Sequence, residues 1–154
     1  MKVPQYTIYA KQAGVEISAS EKRQGNKPGE GRISIRFFRL EASAHQIRFV
    51  AEPWEGFELF RKIGKVARDG GKETLTHKFE GKEGEVVTKL TVERYERNGK
   101  PAFALQVQRG TDSINVPAQE GQFLYAGEFL RHLSLTEAWV EQGGRVRRAE
   151  SPTP

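Results

Sequence analysis

The sequence predicts an α+β fold, two ββββα pseudo-repeats whose antiparallel, curved sheets pack with two helices. Three observations carry this expectation. Apolar and polar residues alternate through most of residues 6–50, the spacing changes to three and four after Pro53, and the same order recurs from residue 72. Period two marks a half-buried strand, and spacings of three and four mark an amphipathic helix. The chain has 154 residues and no cysteine. A chain of that length buries about 70% of its surface on folding, so a core forms without disulfides.

The first half opens with two alternating runs, Tyr6 to Lys11 and Val15 to Ser20, separated by Gln12-Ala13-Gly14. Alternation bounded by glycine reads as a hairpin. A turn-rich loop from Gln24 to Gly31 leads into the third strand, Arg32 to Leu40. This strand sets Ile33, Ile35 and Phe37 on one face and Arg32, Ser34, Arg36 and Phe38 on the other. The adjacent Phe37 and Phe38 leave a second reading open, in which a bulge turns Phe38 into the core. Ile47 to Val50 is a short fourth strand. From Pro53 a helix aligns Phe57, Phe60, Ile63, Gly64 and Ala67, and Asp69-Gly70-Gly71 ends it. Proline in a first turn and glycine past the last are the expected helix boundaries.

In the second half, Leu75, His77 and Phe79 alternate with Thr74, Thr76 and Lys78. Val86 to Arg97 alternates at length, turns at Asn98-Gly99, a strong hairpin signal, and returns through Phe103 to Val107. Ile114 to Val116 is a short strand that stops at Pro117. A helix follows from about Gln119 to Leu133, and Ser134-Leu135-Thr136-Glu137 reads as a capping box restarting helix toward Trp139 and Gln142.

Residue spacing supports duplication. At an offset of 70, Ile33, Ile35, Phe37 and Arg39 fall on Phe103, Leu105, Val107 and Arg109. Glu58 to Ile63 falls on Glu128 to Leu133 with acid, two apolar residues, Arg, base and apolar residue in the same order. The alternative is one meandering α+β domain without repetition. Residues 1–142 are expected to form one α+β domain with halves 5–71 and 72–142, and residues 143–154 a disordered basic tail.

Composition excludes several chemistries. Without cysteine there is no thiolate metal site, cysteine nucleophile or redox switch. His45, His77 and His132 lack metal-ligand spacing, and of the 20 acidic residues only Asp69 and Asp112 are aspartate. There is no nucleophile elbow, and neither Gly29-Glu30-Gly31 nor Gly71-Lys72 completes a phosphate-binding loop. His77, alternating with Leu75 and Phe79, reads as a packed histidine, and Trp54 and Trp139 as core packing at helix edges. No enzyme activity, cofactor, metal or small-molecule substrate is expected; a small enzyme using Glu with Lys or Arg is the remaining alternative. No apolar run approaches the ~18 residues of a membrane span. The start of the chain lacks a signal peptide's apolar stretch, so a cytoplasmic protein, the nucleoid included, is expected. High charge, one Met and three Asn lean toward a thermophilic source, against which nine Gln weigh.

Charge is placed unevenly. The net +5 hides a value of +5 over residues 1–50, −2 over 51–142 and +2 over 143–154. On strand faces turned away from the helices, cations and rings interleave: Tyr9 and Lys11 on the first strand, Arg32, Arg36 and Phe38 on the third, and Arg48 on the fourth. In the second half, Lys78, Lys89, Tyr95, Arg97, Gln106 and Gln108 are similarly placed. Such a surface suits single-stranded nucleic acid, whose phosphates meet the cations and whose unstacked bases lie on rings at about 1–3 kcal/mol each. The plainer reading is an ordinary solvated sheet face. Arg32, Arg36, Arg48, Lys11 and Lys89 are expected to neutralise phosphates, and Phe38, Tyr9 and Tyr95 to stack bases.

Four strands and a helix, twice in one chain over residues 5–142, resemble the superfamily of Whirly proteins, guide-RNA-binding proteins and PUR proteins. The resemblance implies single-stranded DNA or RNA binding on curved sheets, DNA ahead of RNA here. Proteins of the ThermoDBP kind are a second group it resembles. The Whirly lysine-glycine-lysine strand motif is absent, so no site residues are carried over. A homo-oligomer, most simply a dimer, is expected. The alternative function is an assembly module without nucleic acid, using an apolar surface around Phe123, Tyr125, Phe129 and Trp139.

Overall fold

Each alternating run becomes a strand with one apolar edge of side chains, and four such strands make a sheet that is apolar on one face only. In the computed structural model, which describes residues 2–41 and 45–142, β1 (Gln5–Tyr9), β2 (Ala13–Lys22), β3 (Glu30–Arg39) and β4 (Gln46–Ala51) form one antiparallel sheet in chain order. Helix α1 (Pro53–Asp69) leads to a second antiparallel sheet, β5 (Gly71–Gly81), β6 (Gly84–Arg97), β7 (Lys100–Arg109) and β8 (Asp112–Ala118), followed by α2 (Glu120–Thr136). The two ββββα halves of the α+β expectation are present. The expected tail at 143–154 lies outside the described residues. No helix among those described is long and apolar enough to cross a membrane.

The inner faces share one core. Ile17, Ile35 and Phe37 from the first sheet, Leu90, Leu105 and Val107 from the second, and Leu59, Ile63, Phe123 and Leu130 from the helices belong to one buried cluster. Each such side chain contributes about 1.5–3 kcal/mol relative to exposure. Glycines allow close packing: a side chain on Gly127 of α2 would press on Ile63 Cγ2 of α1 at 3.0 Å, and one on Gly56 of α1 would strike Ile33 Cδ1 of β3 at 2.4 Å. At the Asn98-Gly99 turn both residues have positive φ, 54° and 75°, as a tight two-residue hairpin requires.

The duplication is real in structure, and its register changes partway. β3 and β7 match at the offset of 70, but Ile47, Phe49 and Ala51 correspond to Ile114, Val116 and Ala118, an offset of 67. From Arg39 to Ile47 the chain advances eight positions, from Arg109 to Ile114 only five, so the second turn is three residues shorter. The helices keep the new offset. Glu52 and Gln119 are their N-caps, and the backbone N–H of each donates to Glu55 Oε1 or Gln122 Oε1 at 2.9 Å. The match of Glu58 with Glu128 is thus a slip of three residues, close to one helical turn, which is why its chemistry looked right.

Other expectations are corrected. The buried stripe of α1 is Gly56, Leu59, Ile63 and Val66, one position back from the predicted one, and Phe57 is left 41% exposed against Phe60. Gly56 admits the close approach to Ile33, which turns Phe57 outward. Ser134 caps nothing: it is buried inside α2, where its hydroxyl donates to Arg131 O at 2.6 Å. After Thr136 the chain leaves the helix and lies along the start of β3, with Gly31 N–H donating to Trp139 O and Glu141 N–H to Gly29 O, each at 2.9 Å. Arg23 clamps the same segment through Glu141. Trp54 is 60% exposed and Trp139 half-buried, so neither is a core residue. Pro117 lies within β8, an edge strand, where a missing N–H is tolerated.

Gly31 is the tightest point of this return. A Cβ there would stand 1.9 Å from Glu137 O, a backbone atom that cannot swing aside. Gly31→Ala is expected to lower stability by about 1–3 kcal/mol and free the segment after α2, read by urea unfolding and by hydrogen exchange at the amides of residue 31 and Glu141. An unchanged midpoint would contradict this packing.

Candidate nucleic-acid interface

Strand register decides which side chains meet on the outer face of the first sheet. Tyr9, Gly14, Phe38 and Gln46 form one cross-strand row, Thr7, Glu16, Arg36 and Arg48 the next, and Gln5, Ser18, Ser34 and Val50 a third. Pairing of β2 with β3 runs unbroken from Ala13–Arg39 to Lys22–Glu30. No bulge turns Phe38 inward, and it belongs to the outer face. Its ring is nevertheless only 9% exposed. The ring lies across Gly14, where a Cβ would stand 2.4 Å from Phe38 Cζ, with Tyr9 edge-on at 5.9 Å and the Arg36 guanidinium 4.7 Å above it.

Arg36 is held in place by a polar network. It donates through Nη2 to Glu16 Oε2 at 3.0 Å and through Nη1 to Gln46 Oε1 at 3.1 Å, while Gln5 Nε2 donates to Glu16 Oε2 at 2.8 Å. A forked guanidinium bound to a carboxylate is oriented as well as paired. The guanidinium over Phe38 is itself a group on which a base can stack. Arg32 is half-buried and pairs with Glu30 at 3.1 Å. Arg48 is exposed on edge strand β4, and its guanidinium has no partner among the described residues. Tyr9 stands 66% exposed. Lys11 is exposed in the β1–β2 turn, beyond the strand face proper.

The remaining two predicted residues lie on the outer face of the second sheet. Lys89 is exposed beside Gln108, over a shallow depression of about 350 Å³ that Glu85 and Val87 also line. Tyr95, half-buried opposite Ala102, sits six residues further along β6, about 20 Å away at strand rise. The structure therefore gathers Tyr9, Lys11, Arg32, Arg36, Phe38 and Arg48 on one sheet and leaves Lys89 and Tyr95 on the other. Gln5, Gly14, Glu16 and Gln46 complete the first group. Glu16 was legible, because it alternates with Val15 and Ile17 and so faces outward, but its pairing with Arg36 follows from register alone.

A polar seam joins the sheets. The inward row His77, Thr88, Arg109 and Asp112 crosses the second sheet. His77 stacks on Phe49 at 4.0 Å, and its Nε2 lies 2.7 Å from Oε2 of buried Glu55. Arg109 donates to Thr88 Oγ1 at 2.9 Å and to Arg48 O at 2.8 Å, and its repeat partner Arg39 donates to Ser113 O. His45 lies 2.6 Å from Asp112, and that hydrogen bond, with the nearby Arg39 charge, holds the Asp112 carboxyl below the usual carboxylate range. Among the described residues no three His, Asp or Glu side chains cluster to hold a metal ion.

The sequence matches no family model and no curated protein. In fold, the chain is similar to the Whirly protein WHY1 from Arabidopsis thaliana, with a TM-score of 0.57 and 15% identity over 90% of this chain and 86% of that one. The plant transcriptional regulator PBF-2 aligns with a TM-score of 0.49 and 18% identity, over 86% and 90% of the two chains. The likeness to WHY1 shows that this chain has a Whirly-like fold.

The dependence of Phe38 on Gly14 is testable. Gly14→Ala is expected to destabilise the protein by about 1–3 kcal/mol, and the cost should shrink when Phe38 is also made alanine. A double-mutant cycle by urea unfolding measures this coupling. Strict additivity would mean that the ring does not rest on the glycine.

Proposed function

We propose that the chain is a non-enzymatic protein that binds single-stranded nucleic acid, DNA ahead of RNA, on the outer face of its first sheet. The observation that carries this reading is the adjacency of the Tyr9–Phe38 and Arg36–Arg48 rows. Tyr9 offers an exposed ring, the Arg36 guanidinium lies beside it over the buried Phe38 ring, so that Phe38 supports the surface and does not itself stack a base, and Arg48 adds an exposed cation at the sheet edge with no partner among the described residues. Lys11 and Arg32 flank this platform, and Lys89 and Tyr95 offer a secondary surface on the other sheet. Duplex DNA hides its base faces from such a platform, whereas a single strand presents them. The Whirly-like fold and the net +5 over residues 1–50 favour the same partner. The ionisable pairs also have structural duties: Glu55, which meets His77, closes the start of α1 with its other oxygen. The reading sets the protein in the cytoplasm or nucleoid and takes its low Met, Cys and Asn content as that of a thermophile.

Self-assembly is the second element of the proposal. Leu124, Tyr125 and Leu135 on α2 are 41%, 56% and 69% exposed, an apolar surface suited to a homodimer. Phe123 does not belong to it, being fully buried in the core, and Phe129 is half-buried.

Fluorescence anisotropy with a labelled oligonucleotide tests the binding reading. Affinity should fall steeply with salt, and replacing Arg32, Arg36 and Arg48 together by alanine should weaken it and reduce the salt slope by up to about 3. Binding that is absent at low salt, or indifferent to salt, would sink the proposal. Glu16→Gln should act in the opposite sense, releasing the Arg36 charge, tightening binding and steepening the slope by about one. A looser complex would show that Glu16 serves chiefly to hold Arg36 in place.

A further inference from the structure

Where the outer face of the first sheet ends, a cleft opens that shares Arg48 with the platform. β4 is an edge strand, and beside it β5 runs past the end of the shared core. Between them lies a space of about 230 Å³, lined by Arg48, Val50, His77, Phe79 and Arg109 among others. Phe79 shares the inward side of β5 with Leu75 and His77, so alternation assigns it to the core. It stands 53% exposed instead, paired across to Val86. Val50, on the opposite wall, is 42% exposed.

Two features set this cleft apart from an accidental gap. Its walls are fixed: Arg109 bridges Thr88 and Arg48 O, and His77 is stacked on Phe49 and bonded to Glu55. Its chemistry is also mixed, with an exposed ring and an exposed aliphatic side chain beside Arg48, whose guanidinium has no partner among the described residues. A flat apolar group carrying an anion answers that combination. The volume lies below the ~300 Å³ at which drug-sized sites begin, which suits one planar base rather than a whole dinucleotide.

The geometry points to this seam as a subsite for a single nucleotide of the bound strand, its base stacked on Phe79 and its phosphate against Arg48. The inference rests on the reading that the first sheet binds single strands, because the row Glu16, Arg36, Arg48 leads from that platform to the cleft. A strand laid along it reaches the sheet edge at Arg48, and an unpaired base can turn down there at little cost, having no partner to leave. Phe79 then acts as a second stacking position, on the far side of the edge from Tyr9.

The test uses the full chain and a labelled oligothymidylate. Phe79→Ala should weaken binding roughly 5- to 150-fold and leave the salt slope unchanged, because no cation is lost. Phe79→Trp should restore affinity and Phe79→Leu should not. A 2-aminopurine base in the strand should be quenched by the wild-type protein and less so by Phe79→Ala. Because Phe79 is half exposed at the end of a strand, unfolding midpoints of these variants should match the wild type. If the wild type binds and Phe79→Ala binds equally well, or if leucine serves as well as tryptophan, the subsite is wrong while the platform stands. If the wild type does not bind the strand at all, the platform fails, and the subsite with it.

Discussion

Neither four-stranded sheet can bury its own apolar face. One helix is too narrow to cover four strands, so the two inner faces and both helices must close on each other, and this shared burial is the constraint from which the rest of the structure follows. It requires close approach, and within the shared core the sequence supplies glycine at two tight contacts, Gly56 against Ile33 and Gly127 against Ile63. It also fixes orientation. Once Ile33, Ile35 and Phe37 point inward, Arg32, Arg36 and Phe38 must point outward, whatever their individual preferences.

The margin of the core is polar, and the duplication organises it. Arg39 and Arg109, equivalent in the repeat, reach in opposite senses to the fourth strand of the other half, one to Ser113 O and the other to Arg48 O. Each satisfies a carbonyl on an edge strand that would otherwise lie open. The same margin holds His77 against Phe49 and Glu55, so one carboxylate serves both the seam and the start of α1. Packing, edge protection and helix capping thereby meet within one band of residues. The cleft at its end lies between β4 and the outer part of β5.

The outer face of the first sheet shows how a surface becomes a platform. An isolated strand would present Phe38 to water, but Gly14 opposite it opens a shallow seat, and Arg36 and Tyr9 close over the ring. Glu16 and Gln46 then hold the guanidinium over the ring. Such a group trades charge for order: part of the electrostatic attraction of Arg36 is spent on Glu16, and the stacking surface gains definition. Of the three arginines on this face the exposed one is Arg48, at the sheet edge, where the platform and the seam cleft meet.

Alternation, the change of period at Pro53, the Asn98-Gly99 turn and the recurrence at 70 are properties of neighbouring residues, so the α+β class, both four-strand sets and both helices were legible in the sequence. What depended on distant partners was not. The alignment of the helices shifted to 67 because a turn lost three residues, the stripe of α1 rotated because Gly56 faces Ile33, and Ser134 went into the helix interior because its hydroxyl found a carbonyl one turn back. Placing Tyr9, Arg36 and Phe38 on an outward face needed only period two. Joining them through Gly14 and Glu16, separating them from Lys89 and Tyr95, and exposing Phe79 were decided by strand pairing and by the reach of the core, which no local pattern encodes.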